Sequence, residues 1–436
     1  MVRRTSSPAY SVSLTFPSRI DSLCILQDDE ADWQIESSKM ASIFKNACIV
    51  IGASQSSSSN EHFLPTKKPF EKYEHAMDLK NEDGSTAWVY RTIHQPHGDL
   101  CSPFSYASED ERGALAHRGW TLQEQILASR MVHFEEKEMF WECLTCMECE
   151  CMELSSVRNY KLKEGDKASS QDYSTWHAIV SQYTRRKLTF GSDILPALSG
   201  IASHIQTMYG GEYFAGIWKG NLVNDLLWTC RDWGERRQRA QPYRAPTWSW
   251  ASTEASVGTR KLSAEISFLS DDIGKWEPAC RLVELYCTQA GKDQNGAVNG
   301  GQVTLEGTVL PVEHIEKRGG RRSLRGSLEG LWSDRSNDIL HSLDFLLDIE
   351  EEDVPDSGLV GLLIGEREEK EEGTTTMQFA GLVLHEVQTQ GEGIYERVGN
   401  FRGRYWADYG ATSHSLRLPR VEELFGHGKV KTVRII

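Results

Sequence analysis

Residues 20–47 read Ile20-Asp-Ser-Leu-Cys-Ile-Leu-Gln-Asp-Asp-Glu-Ala-Asp-Trp-Gln-Ile-Glu-Ser-Ser-Lys-Met-Ala-Ser-Ile-Phe-Lys-Asn-Ala47. Ile20–Gln27 is mostly apolar, with Leu23–Leu26 continuous, as expected of a strand covered on both faces. Asp32 can cap a helix whose apolar positions are Trp33, Met40, Ile43, Phe44 and Ala47, close to helical spacing, with Asn46 as the stop signal. Ala47–Ala53 is again apolar and β-branched and runs into the serines 54–59. Strand, helix and strand at this spacing predict a right-handed parallel crossover and an α/β (mixed) fold class. Such a unit gathers Gln27–Asp29, the first helical turns and Ser54–Ser56 at one edge. Asp28, Asp29, Trp33 and Glu36 then crowd where α/β proteins place their chemistry.

Outward from this unit, Ala87–Thr92 reads as a short strand in polar loop containing Pro96, Gly98 and Pro103. Thr121-Leu-Gln-Glu124 has the form of a capping box and predicts a helix start. Met131–Phe134 and Met139–Cys143 read as a hairpin around the charged turn Glu135–Glu138, and residues 154–174 are linker-like. Trp176–Lys187 is amphipathic. Pro196 opens a helix with Leu198, Ile201, Ala202, Ile205 and Met208 on one face, ending at Gly210-Gly211. Asn221–Trp228 reads as another helix, and Tyr243–Ala251 alternates like a strand with Trp248 and Trp250 on one face. Beyond about residue 261, Gln302–Leu310, Leu359–Ile364, Met377–His385 and Tyr395–Phe401 read as strands. The acidic stretches Asp348–Asp356 and Glu366–Glu372 read as solvated loops. The chain divides into an irregular start (1–19), a partial α/β domain (20–153), a helical segment (154–260) and a β-rich region (261–436).

The 436 residues carry a net charge of -15, with 39% hydrophobic and 25% charged residues. That is ample for more than one core, and the acidic balance argues against nucleic acid or anionic lipid as partner. No apolar run approaches the roughly 20 residues needed to cross a bilayer. Residues 1–19 hold Arg3, Arg4 and Arg19, several serines and no acid. They resemble an organelle transit peptide faintly, and a disordered or misassigned start more simply. Ten unevenly spaced cysteines read as reduced thiols, which with the missing secretory signal points to the cytoplasm.

Three blocks resemble the fungal heterokaryon-incompatibility (HET) domain family. They are Ile20–Asp29 with Asp32-Trp33, Glu36, Met40 and Asn46-Ala47; Arg118-Gly-Trp-Thr-Leu-Gln-Glu124 with Ser129-Arg130 and Phe140–Cys143; and Leu188–Phe190, Asp193, Leu195–Gly200, Gly216–Trp218, Leu227-Trp228 and Tyr243–Ala251. The third block looks like the region that commonly follows the domain. The family's upstream Leu-Ser-Tyr-x-Trp-Gly-like strand has no match, and residues 1–19 occupy its place. The expectation is therefore an incomplete domain. The resemblance implies self/non-self recognition and cell-death signalling through protein partners, with homo-oligomerisation open. It also implies, through a more distant likeness to TIR domains, cleavage of NAD as substrate, with no bound cofactor. Glu36, three residues after Trp33, looks like the counterpart of the aromatic–x–x–Glu arrangement of those enzymes.

As an NAD glycohydrolase site, Glu36 would stabilise an oxocarbenium-like centre and Trp33 would stack the base. Its place beside the apolar stripe predicts partial burial and a raised pKa. The plainer reading pairs Glu36 with a neighbouring Arg or Lys and puts Trp33 in the core. Asp28 and Asp29 are ligand-binding candidates, or simply offset the helix dipole. Arg118 could meet a phosphate or hold Glu36, Trp120 reads as core, and capping accounts for Glu124. Cys143, Cys146, Cys149 and Cys151 are dense enough for zinc or an iron–sulfur cluster. They lack a second ligand pair, however, and the nearby glutamates oppose thiolate formation. Phosphate-binding loops, dinucleotide fingerprints, zinc-protease and esterase motifs are all missing from the sequence.

Overall fold

The computed structural model describes residues 19–26, 28–58, 61, 73–80, 85–92, 113–135, 139–149, 173–230, 236–257, 260–268, 276–312, 314–318, 321–325, 340–350, 353–355, 357–371, 374–388, 391–406 and 428–436. Helices and strands are mixed, and the chain forms two compact units, residues 1–163 and 164–436.

In the first unit, α1 (Asp21–Cys24) and α2 (Glu30–Asn46) precede β1 (Val50–Gly52). β2 (Tyr73–Lys80) and β3 (Thr86–Thr92) pair antiparallel, and the strand expected at Ala87–Thr92 lies in this pair. A 3-10 turn, Ala114–His117, then leads into α3 (Gly119–Leu127), β4 (Arg130–Phe134), β5 (Met139–Cys143) and β6 (Met147–Cys149). The sheet runs β1-β4-β5-β6, parallel between β1 and β4 and antiparallel thereafter. Thus the expected hairpin forms.

The strand predicted at Ile20–Gln27 does not. The Ile20 carbonyl accepts from the amides of Leu23 and Cys24, so a short helix satisfies this backbone within itself. Leu23 on it, Ile20 at its N-cap and Leu26 just beyond its end all stay exposed. A covered strand would need ladder partners on its flanks and apolar layers on its faces, and this segment has neither in the described structure. The parallel pair that forms is β1 with β4, closed through α3, in place of the predicted crossover. Asp29 rather than Asp32 caps α2, its side chain accepting from the Ala31 and Asp32 amides. Asp32 instead accepts from the Leu26 amide at 2.8 Å and pins the incoming turn. The capping box also fails: α3 starts earlier, at Gly119, and the Thr121 hydroxyl donates back to the carbonyls of Leu115 and Arg118.

In the second unit, α4 (Ser174–Tyr183), α5 (Pro196–Tyr209) and α6 (Leu222–Leu226) form much as expected. Pro196 opens α5, and Gly210 closes it at φ 75°. The expected strand at Tyr243–Ala251 is instead a turn and a 3-10 segment, Trp250–Ser252, stitched by the Ser249 side chain accepting from the Ala251 amide. Trp248 and Trp250 nonetheless bury fully, beside Trp176, Trp218 and Trp228. An irregular backbone can bury alternating side chains when local hydrogen bonds satisfy it.

The expected C-terminal strands lie in an eight-stranded sheet. Within it Leu359–Glu371, Thr374–Glu386, Ile394–Trp406, Lys429–Ile435 and Val298–Val312 pair successively, and the last pairs back with the first. The ring of pairings closes through a short parallel contact in which Ile394 meets Arg434 and Tyr395 meets Ile435. Gly381 lies opposite Phe401 and Gly403 opposite Phe379, so each ring covers the bare backbone of its cross-strand neighbour. Of the acidic stretches, Glu366–Glu371 departs from the loop reading by lying in a strand, whereas the described residues of Asp348–Asp356 lie outside any strand, with Asp348 buried against Arg397 rather than solvated. Arg367 is buried on the Leu359–Glu371 strand, donating to Gln378 Oε1 and lying over the Trp276 ring, while its neighbour Glu368 is exposed.

Candidate functional site

The predicted cluster divides into three local arrangements. Asp28 and Asp29 are exposed at the start of α2, where Asp29 serves as its cap. Trp33 on α2 meets Trp120 on α3 edge to face, with centroids 6.1 Å apart at 87°. These two predicted residues do come together, as an aromatic contact between helices. Arg118 is exposed at the N-cap of α3.

Glu36 is fixed differently from the enzymatic expectation. Its carboxylate accepts from Lys39 Nζ at 2.7 Å and from Arg19 at 2.8 Å. Arg19 also binds Asp21 at 3.0 Å, so one guanidinium ties α1 to α2. The hydrogen bonds from Lys39 and then Arg19 hold the Glu36 pKa below its ordinary value, against the rise expected from partial burial. Two cations stabilise the charged form more than the limited burial opposes it. The geometry is that of the plainer reading, in which Glu36 pairs with neighbouring bases.

A polar cluster that the sequence reading overlooked lies at the end of the parallel pair. β1 and β4 point the same way, so Ser54 and Gln55 after β1 meet His133 and Glu135 from β4 and its end. Gln55 Nε2 donates to Glu135 at 2.7 Å. Ser54 Oγ lies 3.4 Å from His133 Nδ1, and His133 Nε2 lies 3.0 Å from Glu142, which also accepts from Gln125. His133 pairs with Phe140 in the hairpin, so Glu142 is its diagonal neighbour on the same face. That register is the signal that could have found the contact.

Desolvation raises the Glu135 pKa, partly opposed by Gln55, His133 and Ser54. The Ser–His–carboxylate order has the connectivity of a nucleophile and its base. However, Ser54 is only 3% exposed, and its carbonyl accepts from the Leu115 amide. Gly113 packs so closely on it that a Cβ there would lie 2.6 Å from the Ser54 carbonyl oxygen. The cluster therefore braces the strand ends against the approach to α3.

The cysteine segment turns at Leu144-Thr145, and Cys143 and Cys146 face each other across this two-residue loop. Their Sγ atoms lie 3.5 Å apart, while Cys149 is buried on β6. Burial alone would raise the Cys143 thiol. Hydrogen bonds from the Thr145 hydroxyl and the Thr145 and Cys146 amides outweigh it and lower the pKa to about 6. The lowering runs against the expectation that nearby glutamates oppose thiolate formation, because the donors of the turn favour the thiolate. Cys151 lies outside the described residues. Among the described residues, no group of three or more His, Cys, Asp or Glu is placed to hold a metal ion.

Residues 19–124, about a quarter of the chain, match the family model for heterokaryon incompatibility protein (HET). That match spans α1, α2, Trp33, Glu36, Arg118 and Trp120. No curated protein and no solved structure matches the chain. Among the described residues, no helix is long and apolar enough to cross a membrane.

Proposed function

We propose that the chain works in heterokaryon incompatibility as a self/non-self recognition and cell-death signalling module of the fungal cytoplasm, acting through protein–protein contacts. The observation that carries the contact mechanism is the apolar surface of the matched region. Ile20, Leu23, Leu26, Ile35, Ile49 and Ile51 are all exposed, from 46% to 77%. Ile49 and Ile51 flank one residue of β1, the terminal strand of its sheet among the described residues. Exposed apolar side chains next to an unpaired ladder suit a protein partner that adds a strand and covers them. The NAD-cleaving alternative draws no comparable support, since Lys39 and Arg19 occupy both Glu36 oxygens.

The test is expression in a fungal host with Leu23 and Ile51 both replaced by glutamate. These positions are already solvated, so folding should be preserved. The expected result is loss of the death response at unchanged protein level. A full response from the double variant would remove the contact surface from the account.

A further inference from the structure

We propose that Cys143 and Cys146 form a reversible dithiol–disulfide site that reacts with low-molecular-weight disulfides, Cys143 attacking and Cys146 resolving. β5 and β6 pair Phe140 with Cys149, Trp141 with Glu148 and Glu142 with Met147. The next pair outward is Cys143 with Cys146, closed by the Cys143 amide donating to the Cys146 carbonyl at 2.9 Å. Residues so paired have Cα atoms about 5.5 Å apart, inside the range a disulfide spans. The Sγ atoms are already at 3.5 Å. Both thiols are partly exposed at the tip of a hairpin, where only the Leu144-Thr145 turn need adjust.

The two sulfurs are also unequal. Cys143 receives the Thr145 hydroxyl at 3.1 Å, and its pKa falls to about 6. That of Cys146 rises, chiefly because its hydrogen bond to Cys143 holds its proton. The Cys143 thiolate therefore attacks a disulfide RSSR, forming Cys143–S–SR and expelling RS⁻. Cys146 loses its proton to solvent and its sulfur displaces the second RS⁻ from Cys143. Overall, two RS⁻ and one proton leave, the cysteine pair is oxidised by two electrons, and RSSR is reduced. A low-molecular-weight thiol reverses both steps.

The test equilibrates the reduced full-length chain with mixtures of glutathione and its disulfide, traps thiols with a maleimide, and weighs the peptide containing both residues. Wild type should lose two hydrogens at this peptide, with Cys143 linked to Cys146. Cys146→Ser should instead accumulate glutathione on Cys143, and Cys143→Ser should do neither. The exposed Cys48 is the reference thiol. At pH 6.5 Cys143 should alkylate roughly fivefold faster than Cys48, because the donors of its turn favour the Cys143 thiolate. Wild type that accumulates glutathione on Cys143, a disulfide linking Cys143 to another cysteine, or Cys143 reacting no faster than Cys48 would overturn the proposal. Cys146→Ala provides a second resolving-site variant should the serine variant fail to fold.

Discussion

At the residue scale, two glutamates of the first unit are perturbed in opposite directions. Glu36 is held below the ordinary carboxylate range by Lys39 and Arg19. It therefore favours the fold above the unfolded pKa, and that contribution disappears as pH falls through the folded value. Glu135 is raised by desolvation, so the native state binds its proton more readily than the unfolded chain does. Its buried charge opposes folding at neutral pH, and the opposition fades as pH falls through the folded pKa toward about 4.3. Glu135→Gln keeps an acceptor for Gln55 while removing the charge. It should raise the urea midpoint of this unit at pH 7, with the gain shrinking toward pH 4. A lower midpoint at pH 7 would show that hydrogen bonding, not burial, decides the sign. Spacing alone revealed that Glu36 borders the apolar stripe of its helix. It could not reveal Arg19, seventeen residues upstream, nor that Ser54 and Glu135 converge, because those contacts depend on which strands pair.

At the scale of elements, periodicity located α2, the β4–β5 hairpin and α5, whose patterns are long or have strong end signals. It failed where an apolar run could satisfy its backbone locally. Ile20–Leu26 makes a helical turn because its carbonyls find amides three and four residues ahead. Tyr243–Ala251 likewise buries two tryptophans without a ladder. The cap of α2 is Asp29, three positions before the expected Asp32, because the incoming chain turns so that Asp32 accepts from the Leu26 amide instead. Asp29→Ala should weaken the first turn by about 1 kcal/mol. Hydrogen exchange at the Ala31 and Asp32 amides should accelerate about fivefold. Unchanged exchange there would contradict the assigned cap.

At the scale of the whole molecule, the second unit is knit by the buried pair Arg397 and Asp348. Arg397 donates to Asp348 at 2.8 Å and to the carbonyls of Leu226 and Trp228, and it lies 3.6 Å over the Trp228 ring. The pair joins α6 and the strand Trp228–Cys230 to the sheet strand Ile394–Trp406. No local pattern could show this, because an aspartate in an acidic stretch looks solvated until its partner 49 residues away is placed. Asp348→Ala should cost about 3–5 kcal/mol by stranding a buried cation, as read by denaturant unfolding. Asp348→Leu combined with Arg397→Met should recover most of that loss. A single variant costing under about 1 kcal/mol would show that water reaches Arg397.

The proposed function rests on exposed apolar side chains in the first unit rather than on the Glu36 carboxylate. The most direct measurement compares Glu36→Ala with the Leu23→Glu, Ile51→Glu double variant in one fungal strain, following viability and NAD content at matched protein levels. The prediction is that Glu36→Ala still triggers death with NAD unchanged, while the double variant is silent. Death and NAD loss that persist in the double variant but vanish in Glu36→Ala would contradict it.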